Sequence, residues 1–156
     1  MVSLLEDSRE RLWVGTARGL WLFDRDRGQF APPPPGLSQA LGDLWIGSLS
    51  EHPQGFLWIV SGNHLFRYGE ERDELIEVAN AGAETEAPER VLIGRPAFTS
   101  SGALWMVESQ LDPLQFSLLR VEPGGSSAER FAMSPSRTRL GGIAVDLEDR
   151  LWVDAS

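Results

Sequence analysis

The chain has 156 residues, 42% of them hydrophobic, which is enough for one ordinary domain core and too apolar for a disordered acidic tail. Its net charge of −9, with Arg as the sole basic residue besides two His, argues against phosphate-backbone binding, which needs a basic face. The absence of Cys excludes disulfides and thiolate metal sites, and no apolar run approaches the roughly 18 residues that span a bilayer.

Sixteen Gly and ten Pro favour short strands separated by turns over long helices, and no window keeps a 3.6-residue period without meeting one of them. The N-terminal stretch MVSLLEDSRERLW lacks the charged and apolar regions of a signal peptide. The dominant signal is an internal repeat. Leu-Trp pairs stand at 12–13, 57–58, 104–105 and 151–152, so the Trp spacings are 45, 47 and 47. Five residues before each Leu stand Asp7, His52, Thr99 and Asp146, and two before it Glu10, Gly55, Gly102 and Asp149. Further Leu-Trp pairs at 20–21 and 44–45 fall out of phase.

Taken in chain order, the first unit predicts strands at 2–6, 11–15, 19–24 and 28–31, followed by the run APPPPG, Ala31 to Gly36. That run reads either as a polyproline ligand or as a stiff connection to the next unit, and its place at a junction favours the connection. The second unit predicts strands at 46–51, 56–60, 64–68 and 75–79, then an acidic loop NAGAETEAPER over 80–90. The third predicts strands at 93–98, 103–107, 116–122 and 129–133, once six residues are inserted after Val107. That insertion places ESQLDPLQF in a turn, and the segment Leu111 to Phe116 is where ligand contacts are expected, because loops carry them. The fourth unit supplies strands at 142–147 and 150–154. A four-strand repeat of this length is a β-propeller blade, with blades at 1–44, 45–91, 92–140 and the start of a fourth at 141–156. The expected fold is all-β: an incomplete propeller arc of about three and a half four-stranded antiparallel blades. Each Leu-Trp pair is then core, one side chain against each neighbouring blade, with the indole N–H donating to a backbone carbonyl.

The run Leu4 to Leu37 resembles a two-component regulator propeller repeat: Asp7, Leu12, Trp13, Gly15, Thr16, Gly19, Leu20, Phe23, Asp24, Phe30, Gly36 and Leu37 all fit its pattern. The second unit keeps Gly55, Leu57, Trp58, Ile59, Leu65 and Tyr68 but departs at His52 and Ser61. The third keeps Gly102, Leu104 and Trp105; the fourth keeps Asp146, Leu151, Trp152 and Val153. The resemblance implies a non-catalytic, periplasmic recognition segment of a bacterial inner-membrane sensor. A kinase or cyclase output domain would lie elsewhere in the parent protein. Its partners would be an extracellular ligand, a polysaccharide fragment in some members of the family, or the remaining blades, with no nucleic acid and no direct membrane contact.

Two other readings share the architecture. One is a fragment of a propeller enzyme, similar to streptogramin lyases or gluconolactonases; the other is a protein-interaction scaffold. The residues assign no catalytic, cofactor-binding or metal-ligating position and no cofactor. His52 and His64 lack a third ligand in the pattern. Asp7, Glu10, Asp146 and Asp149 could form acid–base pairs, but their repeated turn positions favour the capping of backbone N–H groups. An open arc also leaves an apolar face at each end, which predicts association with further blades or with another copy.

Overall fold

The computed structural model describes residues 3–52, 55–80, 90–110, 114–133 and 140–155. Its elements in chain order are β1 (Ser3–Glu6), β2 (Leu12–Thr16), β3 (Gly19–Asp24), β4 (Gln29–Ala31) and α1 (Pro35–Leu41). There follow β5 (Ser48–Glu51), β6 (Leu57–Ser61), β7 (His64–Gly69), a 3₁₀ turn (Glu70–Arg72) and β8 (Glu74–Asn80). The rest comprises β9 (Arg90–Phe98), β10 (Leu104–Gln110), β11 (Gln115–Val121), β12 (Ala128–Ala132), β13 (Leu140–Val145) and β14 (Leu151–Ala155). Among the described residues these form three four-stranded sheets, each a simple meander, and a two-stranded sheet β13-β14. Two compact units, Met1–Glu77 and Val78–Ser156, divide within β8.

Register explains which side chains meet. In the first sheet Leu5 pairs with Trp13 and Trp13 with Leu22, while Leu4 pairs with Val14 and Val14 with Trp21. Side chains alternate along a strand, so Trp13 and Leu12 point to opposite faces. The Trp13 face meets the second sheet in a core of Trp13, Leu20, Ile46, Leu49, Leu57, Ile59 and Tyr68. Gly15 makes this joint close: a Cβ there would collide with Ser3 Oγ and come within 2.6 Å of Ile46 Cγ2. In the second unit Val107, Phe116, Ile93 and Leu118 of the third sheet pack on Leu140, Ile143 and Val153 of the fourth.

One element departs from the expected all-strand reading. The end of the proline run opens α1, with Pro35 at its first position and Leu37 and Leu41, four apart, buried in the first unit's core. Proline is tolerated there because the first-turn N–H has no intrahelical partner anyway. The run therefore does act as a connection, ending in a docked helix: Gly36 N donates to Asp73 Oδ2 at 2.9 Å, and a Cβ on Gly36 would lie 2.5 Å from the Asp73 carbonyl oxygen.

The six-residue insertion lengthens a hairpin. β10 and β11 pair continuously from Leu104↔Val121 to Gln110↔Gln115, and β9 bulges beside them, with Gly94 at φ +78°. Leu111 to Pro113, in the expected ligand loop, and 81–89, in the acidic junction, lie outside the described residues.

Candidate functional site

Each sheet opens with the same hairpin turn, and its chemistry is set by the residue five before the Leu. In the first sheet the Asp7 N–H donates to Arg11 O, and the Glu10 N–H to Asp7 O. Asp7 Oδ1 accepts from the N–H groups of Arg9 and Arg11 at 3.0 and 2.9 Å; Oδ2 accepts from Arg11 Nε at 2.7 Å and Trp13 Nε1 at 2.8 Å. The fourth sheet repeats this pattern: Asp146 accepts from Glu148 N, Arg150 N, Arg150 Nε and Trp152 Nε1. The Arg11 guanidinium lies 5.2 Å from the Trp13 ring centroid, and that of Arg150 5.9 Å from Trp152. In these two sheets the indole N–H is thus held by a carboxylate, where a backbone carbonyl was expected.

These bonds have an electrostatic signature. Burial alone would raise the Asp7 pKa, but the Trp13, Arg11 and backbone hydrogen bonds outweigh it and hold the carboxyl below its ordinary value. At Asp146 the Trp152 hydrogen bond dominates, and the pKa falls to about 2. Such carboxylates stay ionised and bonded on every side, which suits turn locking and disqualifies them as proton donors at neutral pH.

The other two sheets replace the aspartate. Thr99 Oγ1 accepts from Ala103 N at 3.0 Å. His52 occupies the same place with its backbone in the same turn, His52 N to Phe56 O and Gly55 N to His52 O. It is buried, and desolvation pushes its pKa below the usual histidine value. His64 sits apart, with Nδ1 2.5 Å from Glu77 Oε1 and its ring stacked on Phe66. The structure therefore does not bring the two histidines together, and among the described residues no three potential metal ligands converge.

Glu10 and Asp149, the remaining acid–base candidates, occupy the left-handed corner of the turn, at φ +62° and +60°. Gly55 and Gly102 fill the same corner in the middle sheets. The Asp149 carboxylate receives Ser100 N and Oγ from the neighbouring turn at 2.6 and 2.5 Å. Asp149 thus caps the neighbouring turn, and Glu10 takes its corner through its backbone, its N–H donating to Asp7 O.

A concavity absent from the sequence reading lies in the first unit, at the end of the second sheet. It is a cleft of about 410 Å³, within the range of small-ligand sites. Arg9, Phe56, Arg67, Glu71, Arg72 and Ile76 are among its lining residues. The Arg67 guanidinium is buried and stands 4.9 Å from the Phe56 ring centroid. Glu70, on the 3₁₀ turn, binds Arg9 at 2.7 Å and Arg11 at 2.6 Å, tying the turns of the two sheets together. The signal that could have located it is the run YGEERD, Tyr68 to Asp73, far more charged than an ordinary two-residue hairpin requires.

At the expected ligand hairpin the structure shows a buried ion cluster. Glu108 is 1% exposed at its side chain, with Arg130 Nε at 3.2 Å and Arg90 Nη1 at 3.4 Å. Leu114 at the tip is exposed, and Phe116 is buried.

No protein-family model matches the chain, and no curated protein matches it. Solved structures do. A crystal structure provisionally described as a gluconolactonase aligns over 97% of this chain at a TM-score of 0.62 and 15% identity. The alignment covers 56% of that protein, so the chain spans little more than half its length. At this identity the likeness speaks to architecture. Repeated antiparallel meanders with tryptophan-bearing faces and this structural likeness together establish an all-β chain with a β-propeller fold, its sheets the blades.

Proposed function

We propose that the chain is the ligand-recognition part of a β-propeller, and that the cleft at the end of blade 2 receives a small acidic sugar. The observation that carries this reading is the cleft's chemistry: guanidinium groups of Arg9, Arg67 and Arg72 beside Glu71, Glu74, Phe56 and Ile76. Guanidinium groups pair with a carboxylate, the glutamates accept from hydroxyls, and the apolar residues cover a ring face. The two-component receptor assignment, with its periplasmic location and a kinase or cyclase output domain in the parent protein, is the finer form of this proposal. Its support is the repeat residues from Leu4 to Leu37.

A second reading is a lactone-hydrolysing propeller, favoured by the likeness to the gluconolactonase-like structure. One pair of measurements separates the two. Calorimetric titration with glucuronate and galacturonate oligomers is expected to give saturable binding, weakened roughly ten-fold by Arg72→Ala, the loss of about one charge-assisted hydrogen bond. Assay with δ-gluconolactone and divalent cations is expected to give no turnover. Turnover without uronate binding would replace the first reading with the second.

A further inference from the structure

Arg9 and Arg11 stand two apart in the β1–β2 turn of blade 1, and one carboxylate, Glu70 on the 3₁₀ turn of blade 2, holds both. It holds them differently. Every side-chain nitrogen of Arg11 is engaged: Nε donates to Asp7 Oδ2 at 2.7 Å, Nη1 to Glu70 Oε1 at 2.6 Å and Nη2 to Glu70 Oε2 at 2.9 Å. Arg9 gives Glu70 a single nitrogen, Nη1 at 2.7 Å. Among the described residues its Nε and Nη2 make no hydrogen bond, and its side chain, 63% exposed, lines the cleft. A guanidinium is a rigid planar fork, so fixing one of its ends restricts where the others point.

The turn that carries Glu70 is anchored a second time, at its other end. Asp73, at φ +48°, accepts from the Tyr68 hydroxyl at 2.8 Å and from Gly36 N, in the first turn of α1, at 2.9 Å. Glu71 and Arg72, between the two anchors, both line the cleft. The cleft wall as a whole carries three guanidinium groups, Arg9, Arg67 and Arg72, and three carboxylates, Glu70, Glu71 and Glu74. It therefore has no net charge with which to draw in an anion, and recognition of an acid group must come from donors held in place.

By charge alone Glu70 would repel an acidic ligand. We infer that it does the reverse: Glu70 is a positioning residue that raises affinity for the ligand's carboxylate by holding Arg9 at the cleft, its own charge taken up by Arg9 and Arg11. This role rests on the reading of the cleft as a site for an acidic sugar. A free arginine side chain gives up rotamers when a ligand orders it, and Arg9 has already given them up to Glu70. Arg9 comes from blade 1 while Arg67 and Arg72 come from blade 2, so Glu70 also sets the spacing of cations drawn from two blades. Recognition in this form depends on the joint between them.

Calorimetric titration of the full chain with trigalacturonate at fixed ionic strength separates the two effects. Charge alone predicts tighter binding by Glu70→Gln, which removes a negative group from the wall. Positioning predicts binding weakened about five-fold. A double-mutant cycle with Arg9→Ala assigns the loss. Arg9→Ala by itself is expected to weaken binding about ten-fold, and in its background Glu70→Gln should cost nothing further or tighten binding slightly, only the charge being left to remove. A merely structural role would lower affinity in both backgrounds. Circular dichroism checks that each variant is folded, and Arg9→Lys supplies an arm that leaves Glu70 in place. Lysine keeps the charge and loses the fork, so a loss of about three-fold or more is expected. Binding that Glu70→Gln leaves unchanged or tightens would overturn the positioning role and leave the acidic-sugar reading standing. So would an equal loss in the Arg9→Ala background, or wild-type affinity in Arg9→Lys. A wild type that does not bind trigalacturonate would remove the acidic-sugar reading, and the role of Glu70 with it.

Discussion

At the scale of single residues, the Asp–Trp clamp has the clearest consequences. The Asp7 side chain is only 3% exposed and holds two backbone N–H groups, a guanidinium and an indole. Asp7→Ala would leave those donors unsatisfied in a buried place, and is expected to cost about 3 kcal/mol in chemical denaturation. The corresponding change at the exposed Asp146 turn should cost less, since water replaces the carboxylate there. The neighbouring corner offers the opposite effect. Glu10 holds φ +62°, a conformation in which an L side chain crowds its carbonyl, and blades 2 and 3 place Gly there. Glu10→Gly is expected to raise stability by about 0.5–1 kcal/mol, the left-handed strain removed less the added freedom of the unfolded chain. A denaturation midpoint that falls would refute it. The turn role of Asp7 and Asp146 was legible in their spacing. Their hold on the indole was not, because strand periodicity gives a side chain's face and says nothing about its hydrogen-bond partner.

At the scale of elements, the strands were legible because the Leu-Trp pair recurs in phase in all four units and turn residues precede it each time. The helix was not. Seven residues behind a proline run offer too short a window for a 3.6-residue period, and only Leu37 and Leu41 mark its buried side. That pair makes α1 a small plug of the first unit's core, so Leu37→Ala should cost about 2–4 kcal/mol even though the helix itself is short. The joint beneath it is equally sensitive to added volume. Gly15→Ala drives a methyl group into Ser3 and Ile46, and is expected to destabilise the first unit by about 1–3 kcal/mol. The candidate cleft escaped sequence reading for a related reason. It is assembled from a residue of the β1–β2 turn in blade 1 and the β7–β8 connection in blade 2, which are some sixty residues apart (Arg9 and Glu70), and no local pattern marks that pairing.

At the scale of the whole molecule, the acids and His52 together set how stability follows pH. Asp7, Asp73, Asp146 and Asp149 all have folded pKa values below their ordinary one. For each, the unfolded chain takes up a proton first as pH falls. Their stabilisation is therefore complete above the unfolded pKa, about 3.9, and is lost as pH falls through the folded values, which reach about 2 at Asp146. His52 acts earlier and with the same sign. Burial lowers its folded pKa, so below about 6.5 the unfolded chain binds a proton that the folded one resists. Two separate losses should follow: a shallow one beginning below pH 6.5 and a steep one below pH 4. Substituting the aspartate of blades 1 and 4 at this position, His52→Asp, removes the only buried histidine and should abolish the shallow loss while leaving the steep one. Urea denaturation at half-unit steps from pH 7.5 to 3 checks this directly. A shallow loss that persists in the variant would assign it to groups other than His52.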